Sequence, residues 1–221
     1  MTKQKAETAL EEHQPASASP VLGIKIFNKW DPAGINVADP GLKDYINLQP
    51  RTMPHSFGIY GNKKFGKQKI SIVERIANDL MGTGHVKDSR IHKKTSGRDT
   101  GKKQTTLKIV GKSLEIIAEK TKQNPLQIAV NALENTAPRE ETTRIRQGGI
   151  IAHKSVDAAP QRRLDTAIRF ITHGAAQRCF KKRYGLAAAL ADEMIAAANK
   201  DTKTYSVSKK EETERVAASA R

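Results

Sequence analysis

Residues 124–175, NPLQIAVNALENTAPREETTRIRQGGIIAHKSVDAAPQRRLDTAIRFITHGA, carry a helix signal, a hairpin signal and a second helix signal in succession. Asn124, Pro125 and Gln127 supply a cap, a first helical residue and an N3 partner, which predicts a helix ending near Asn135. The period then changes. TTRIRQ-GG-IIAHKSVD, residues 142–157, is two short β-type runs around Gly148–Gly149. A Gly-Gly pair suits a two-residue primed turn, in which positive φ is required, and so predicts a β-hairpin. Its outer residues include Arg144, Arg146, His153 and Lys154. An isolated hairpin is marginal in water, so this one must be mobile or braced. After Pro160 the helical period returns. Leu164, Ala167, Ile168 and Ile171 face inward, Arg162, Arg163 and Arg169 face outward, and the pattern slackens near Gly174.

On either side the pattern is helical. Ser71 and Glu74 have capping-box spacing at the start of a helix whose apolar face is Ile72, Val73, Ile76, Ala77 and Leu80. Gly82 and Gly84 end it. A second helix is expected from about Thr105 to Thr121, with Leu107, Val110, Leu114, Ile117 and Ala118 on one stripe. Beyond the hairpin, GLAAALADEMIAAANK reads as an Ala-rich, closely packed helix. Ser208 and Glu211 suggest a second capping box opening a terminal helix. The fold class is mainly α: a bundle of about six helices with a protruding β-hairpin arm and an irregular N-terminal extension. The expected organisation is a disordered tail over 1–20, a basic irregular extension over 21–69, and a helical body over 70–221 with the arm at 142–157. In the extension, Asp39–Pro40 has the form of a cap and first turn, and four prolines cut the rest into short pieces.

Charge is the feature that bears on function. Lys and Arg number 39 against 23 Asp and Glu, a formal +16 over 221 residues. Charge of that size repels itself in a compact state and calls for a polyanionic partner. Aromatics make up 5% of the chain, which points to phosphates rather than stacked bases as the main contacts. Basic residues fall into clusters: Lys63, Lys64, Lys67 and Lys69; Arg90, Lys93, Lys94, Arg98, Lys102 and Lys103; Arg139, Arg144 and Arg146; Arg162, Arg163 and Arg169; Lys181, Lys182 and Arg183. One such cluster is usually a solvated face, but five with this net charge favour nucleic acid.

Other chemistry finds little support. GNKKFGKQ, Gly61–Gln68, approaches the phosphate-cradling G-x-x-x-x-G-K-[ST] loop, but Gln68 cannot supply the hydroxyl that ligates magnesium. The six histidines form no i, i+4 pair with a carboxylate motif, so no metal site is expected. Cys179, the only cysteine, excludes an internal disulfide and fits a reducing compartment. It reads as a small buried hydrophobe rather than a nucleophile. No apolar run is long enough to span a membrane. No catalytic constellation is apparent, and no cofactor is expected.

The quoted stretch as a whole, with LADEMIAAANKDTKTYSVSKKEETERVAASAR at the end and IKIFNKW, DYINLQPRTMPHS and IVERIANDLM near the start, resembles the universal small-subunit ribosomal protein S-seven family, in its archaeal–eukaryotic branch. The resemblance covers residues 24–221. APRE at Ala137–Glu140, the Gly-Gly hairpin and PQRRLDTAI at Pro160–Ile168 are its most specific pieces. It departs from bacterial relatives in the insertion-like loop from His85 to Thr100 and in the N-terminal extension. The resemblance implies a helical, non-enzymatic protein of the cytoplasmic ribosome. It implies binding to the 3′ major domain of small-subunit ribosomal RNA, nucleation of head assembly, a hairpin facing exit-site tRNA and mRNA, and an approach to the S-eleven protein. Carried onto this chain, Arg144, Arg146, Gln147, Gly148, Gly149 and Ile150 form the tRNA- and mRNA-facing arm, and the remaining basic clusters hold ribosomal RNA. The alternative is a chromatin or transcription protein that binds duplex DNA, though no short helix pair presents a base-reading face.

Overall fold

The computed structural model describes residues 24–84 and 99–221. The expected tail over 1–20, and Arg90, Lys93, Lys94 and Arg98, lie outside the described residues. Among the described residues seven α-helices and one hairpin follow in chain order: α1 Pro40–Lys43, α2 Ile72–Met81, α3 Lys103–Thr121, α4 Pro125–Thr136, β1 Glu140–Gln147, β2 Ile150–Asp157, α5 Pro160–Cys179, α6 Leu186–Ala198 and α7 Tyr205–Ser219. The mainly α architecture with a protruding antiparallel hairpin is as the sequence predicts.

The Ala-rich helix α6 packs against α3, α4 and α5, and more lightly against α7. Its buried face is Ala189, Leu190, Ala191, Met194 and Ala197. Small side chains let neighbouring helices come close on several sides. The apolar stripes predicted for α2 and α5 are all buried, as are Leu107, Val110, Leu114 and Ile117 of α3. The extension is irregular but not loosely laid. Ile26, Leu42 and Ile46 enter the same core, and Phe27, Trp30, Val37 and Tyr45 pack against it.

Caps divide into those the sequence identifies and those it does not. Asp39 Oδ1 accepts from Gly41 N, and Asn124 Oδ1 accepts from Leu126 N, so both predicted caps form. Gln127 does not close a box. Its side-chain amide exchanges two hydrogen bonds of 2.9 Å with the Asn36 backbone and clamps the extension to α4. Ser71 stands at the N-cap of α2 without a side-chain cap bond, and the Glu74 carboxylate that would close the box is taken by Ser56 and Lys103. The second predicted box also fails: α7 opens at Tyr205 after Thr204, so Ser208 lies inside the helix.

Helix α5 does not slacken at Gly174. It runs to Cys179, and Gly174 is where the Glu193 carboxylate of α6 comes closest. A Cβ placed there would stand 2.7 Å from Glu193 Oε1, so the glycine permits an approach rather than a break. Glu193 itself is buried. Its Oε1 accepts from the backbone N–H and the hydroxyl of Ser206, fixing the first turn of α7.

Candidate nucleic-acid interface

A basic residue is available to a polyanion only if the fold has not already neutralised it. Three carboxylates along the seam between extension and body neutralise several. Glu74 of α2 is 1% exposed, and its Oε1 accepts from Ser56 N, Ser56 Oγ and Lys103 Nζ. Burial alone would raise this carboxyl, but the Lys103 and Ser56 hydrogen bonds outweigh it and hold the group below its ordinary value. Asp165 of α5 takes Arg75 Nη2 at 2.8 Å and Lys67 Nζ at 3.0 Å. Its carboxyl is likewise lowered, burial opposing and the two cations prevailing. Asp39 takes Arg163 Nη2 at 2.7 Å and is lowered by the same balance.

Arg163 therefore corrects the sequence reading. It does not face outward. It is 9% exposed, and its Nε donates to the Pro138 carbonyl while Nη2 reaches Asp39. The helical period puts it next to the outward Arg162, but the extension crosses this side of α5 and covers it. Arg162 is exposed and paired with Glu141 at the foot of the hairpin. Lys67 is exposed although bridged to Asp165, whereas Lys103 is largely enclosed.

The other predicted cations do point outward. Lys63, Lys64, Lys69, Lys102, Arg139, Arg144, Arg146, Arg169, Lys181, Lys182 and Arg183 are exposed, and none has a carboxylate within ion-pair distance among the described residues. Lys181 Nζ lies 5.6 Å from the Phe180 ring centroid. The cluster from Lys181 to Arg183 is held in place by Tyr184, whose hydroxyl donates to Asp192, the carboxylate that also takes Lys120.

In the hairpin, Gln147 pairs with Ile150 across Gly148 and Gly149, whose φ values are +55° and +85°. Two positive φ angles in succession make the primed turn that Gly-Gly predicts. Strand β1 begins at Glu140, two residues before the expected boundary. The foot is braced by α7. Ser155 N donates to the Ala220 carbonyl, Arg139 N to Glu214, and Arg221 pairs with Glu140. Beyond that foot Ile145, Ile150 and Ile151 stand exposed beside Arg144 and Arg146.

The sequence matches the family described as ribosomal protein S7p/S5e over residues 42–221. The chain belongs to that family. It is 48% identical to the small ribosomal subunit protein uS7 of Nanoarchaeum equitans over 200 residues, 90% of this chain and all of that one. It is 47% identical to uS7 of Methanosphaera stadtmanae over 199 residues, 90% of this chain and all of that one. With uS7 of Halococcus morrhuae it shares 44% over 213 residues, 96% of this chain and 98% of the other. Membership makes it a structural, RNA-binding protein of the small subunit of the cytoplasmic ribosome, acting in translation and not as an enzyme. Among the described residues no helix is long and apolar enough to cross a membrane. Cys179 is half-buried against the core, and burial pushes its thiol up, as suits a packing residue.

Reading charge alone missed two groups of residues. One is the set of seam carboxylates, whose roles depend on contacts that span 18 to 124 positions of sequence, from Ser56–Glu74 to Asp39–Arg163. The other is a pair of exposed rings, Phe57 and Phe65, set among the lysines of the extension. Each stands directly before a glycine, in SFG and KFG, the one local sign that the backbone turns sharply there.

Proposed function

We propose that the exposed, unneutralised cations bind the 3′ major domain of small-subunit ribosomal RNA and that this binding nucleates assembly of the subunit head. The observation that carries the reading is the division just described. In a ribosomal family member, Lys63, Lys64, Lys69, Arg169 and the Lys181–Arg183 cluster have no carboxylate partner among the described residues while neighbouring cations are neutralised. Such residues hold phosphates and release counterions. The hairpin tip from Arg144 to Ile150 faces exit-site tRNA and mRNA, and the body approaches the S-eleven protein of the platform. The braced foot and solvent-exposed tip support this part of the reading, because they let an arm reach away from the bundle without unfolding it.

The test is a salt titration with a transcript of the 3′ major domain. If roughly 6–10 phosphates are contacted, affinity falls by about 10³–10⁵ between 50 and 200 mM salt. Replacing Lys63, Lys64 and Lys69 together by Gln lowers the slope by about three contacts. A flat titration would sink the phosphate-binding reading. Loss of head incorporation in reconstituted subunits, with folding intact, tests the assembly role.

A further inference from the structure

The segment from Arg51 to Ile70 contains five basic residues and no acidic one. It also displays the three most exposed large apolar side chains among the described residues outside the hairpin, with Met53 beside them. Phe57 is 78% exposed, Phe65 65%, Ile59 64% and Met53 49%. Hydrophobic collapse would hide such groups, yet the backbone holds them out. Phe57 has φ of +51° and Phe65 of +57°, a region that bulky residues rarely adopt and that is kept where the surroundings enforce it.

The surroundings do enforce it. Ser56, immediately before Phe57, is buried and fixed through both its N–H and its hydroxyl to Glu74. Phe57 N donates to His55 Nδ1 at 2.8 Å, and the His55 ring stacks on the Phe57 ring at 4.1 Å with an interplanar angle of 25°. One face of the phenyl thus has a partner, and the residue remains mostly open. Gly66, immediately after Phe65, is buried against the Tyr60 backbone, and Lys67 is tied to Asp165. Lys64 Nζ lies 5.4 Å from the Phe65 centroid. Both rings are therefore pre-positioned, Phe65 with Lys64 beside it and Phe57 in the same cation-rich stretch of sequence.

We infer that Phe57, backed by His55, and Phe65 are stacking platforms for unpaired nucleobases of the RNA whose phosphates the surrounding lysines hold. This deepens the reading above and rests on it: the extension takes single-stranded or bulged RNA rather than a continuous duplex. Charge selects the occupant. A segment with five cations and no anion fits a polyanion that also carries flat apolar faces, and unpaired RNA is such a molecule. Every base has a π-face, so this contact tolerates sequence, whereas a paired base has both faces already stacked.

The experiment uses the full chain and two RNA probes, a single-stranded oligoadenylate and a fully paired duplex of equal phosphate number. Phe57→Leu keeps the bulk and removes the ring. It weakens oligoadenylate binding roughly 5- to 150-fold, the range of one base–aromatic stack, and leaves the salt slope unchanged. Duplex binding stays within about twofold of wild type on this scheme. Phe57→Trp retains oligoadenylate affinity, and in a Trp30→Phe background its fluorescence is quenched on binding that probe but not the duplex. An equal loss on both probes, no loss on either, or no quenching overturns the inference. Binding by wild type that is salt-dependent on both probes, with Phe57→Leu unchanged, overturns the stacking alone and leaves the phosphate reading standing. Wild type without salt-dependent binding to either overturns both. A normal melting temperature for Phe57→Leu shows that any loss is not an unfolding effect.

Discussion

The seam between extension and body and the hairpin arm are both rich in arginine and lysine, and the fold treats them in opposite ways. At the seam Lys67, Arg75, Lys103 and Arg163 each end on a carboxylate, and Arg75 and Arg163 are buried there. Along the arm Arg144 and Arg146 end in solvent, on strands that pair only with each other. The difference teaches that a cation's role is decided by whether a carboxylate from a distant part of the chain reaches it. At the seam charge specifies where the extension docks; on the arm it remains available to a partner. Removing a residue from the first region should therefore damage folding, and removing one from the second should damage only binding.

The largest effect is expected at Glu74. Glu74→Ala leaves the buried Ser56 N–H and hydroxyl without an acceptor and Lys103 without its partner. Breaking a buried pair on one side costs about 3–5 kcal/mol. For a chain of this size that lowers the melting temperature by about 6–20 °C. A calorimetric shift under about 2 °C would show the seam to be dispensable and erase the contrast with the arm.

Next come Arg162 and Arg163, adjacent in sequence and opposite in setting. Arg163→Gln removes the charge that holds Asp39 and one bond to Pro138, a loss of about 2–3 kcal/mol. Arg162→Gln removes an exposed pair with Glu141 and costs about 0.5 kcal/mol. RNA affinity should show the reverse order once each variant is compared in its folded state, because the exposed Arg162–Glu141 pair is weak enough to be exchanged for a phosphate, whereas Arg163 is buried on Asp39. Equal destabilisation by the two would mean that burial does not separate them.

Acid sharpens the same division. Glu74, Asp165 and Asp39 all have lowered folded-state values, so folding favours their ionised forms. Their contribution is fully present above the ordinary carboxylate range, near pH 4, and is lost as pH falls below it through the lowered folded values. Stability should decline over that acid window, with a shallower slope in Glu74→Gln, which carries no titrating group at that position. The arm contributes no buried carboxylate, so its deletion should leave the acid profile unchanged. Urea midpoints measured from pH 6 down to pH 3 would decide this.

How far the sequence could be read follows the same line. Periodicity locates α2, α3 and α5 because burial of one helical face is a local pattern, and Gly148–Gly149 locates the turn because positive φ is a local demand. The burial of Arg163 is not legible locally because its partner, Asp39, lies 124 positions away. Both capping boxes fail for a related reason. Glu74 has the right spacing from Ser71 but a better set of donors in Ser56 and Lys103, and α7 begins a turn earlier because Glu193 binds Ser206. A low aromatic content says nothing about how exposed the few rings are, so composition does not single out Phe57 and Phe65.

The smallest effect on stability, and the sharpest break of the comparison, is expected from the arm. Deleting Arg146–Ile151 and joining Ile145 to Ala152 through Asn-Gly is geometrically sound, since those two residues face each other across the hairpin and Asn-Gly favours the primed turn. The deletion removes exposed Ile150 and Ile151 and leaves the foot, with its Ser155–Ala220 and Arg221–Glu140 contacts, in place. The melting temperature should therefore move by no more than the equivalent of about 0.5 kcal/mol, and ribosomal RNA binding should persist. Gly149→Val should act more mildly. Its Cβ would meet no atom within 4 Å, so the cost comes from forcing a β-branched residue to φ near +85° in the turn alone. The loss, for both changes, should fall on retention of exit-site tRNA and on reading-frame or start-site fidelity in reconstituted subunits. If the shortened protein instead unfolds or fails to enter the head, the arm belongs with the seam as part of the structure, and its exposed arginines must be explained as something other than a reach toward RNA.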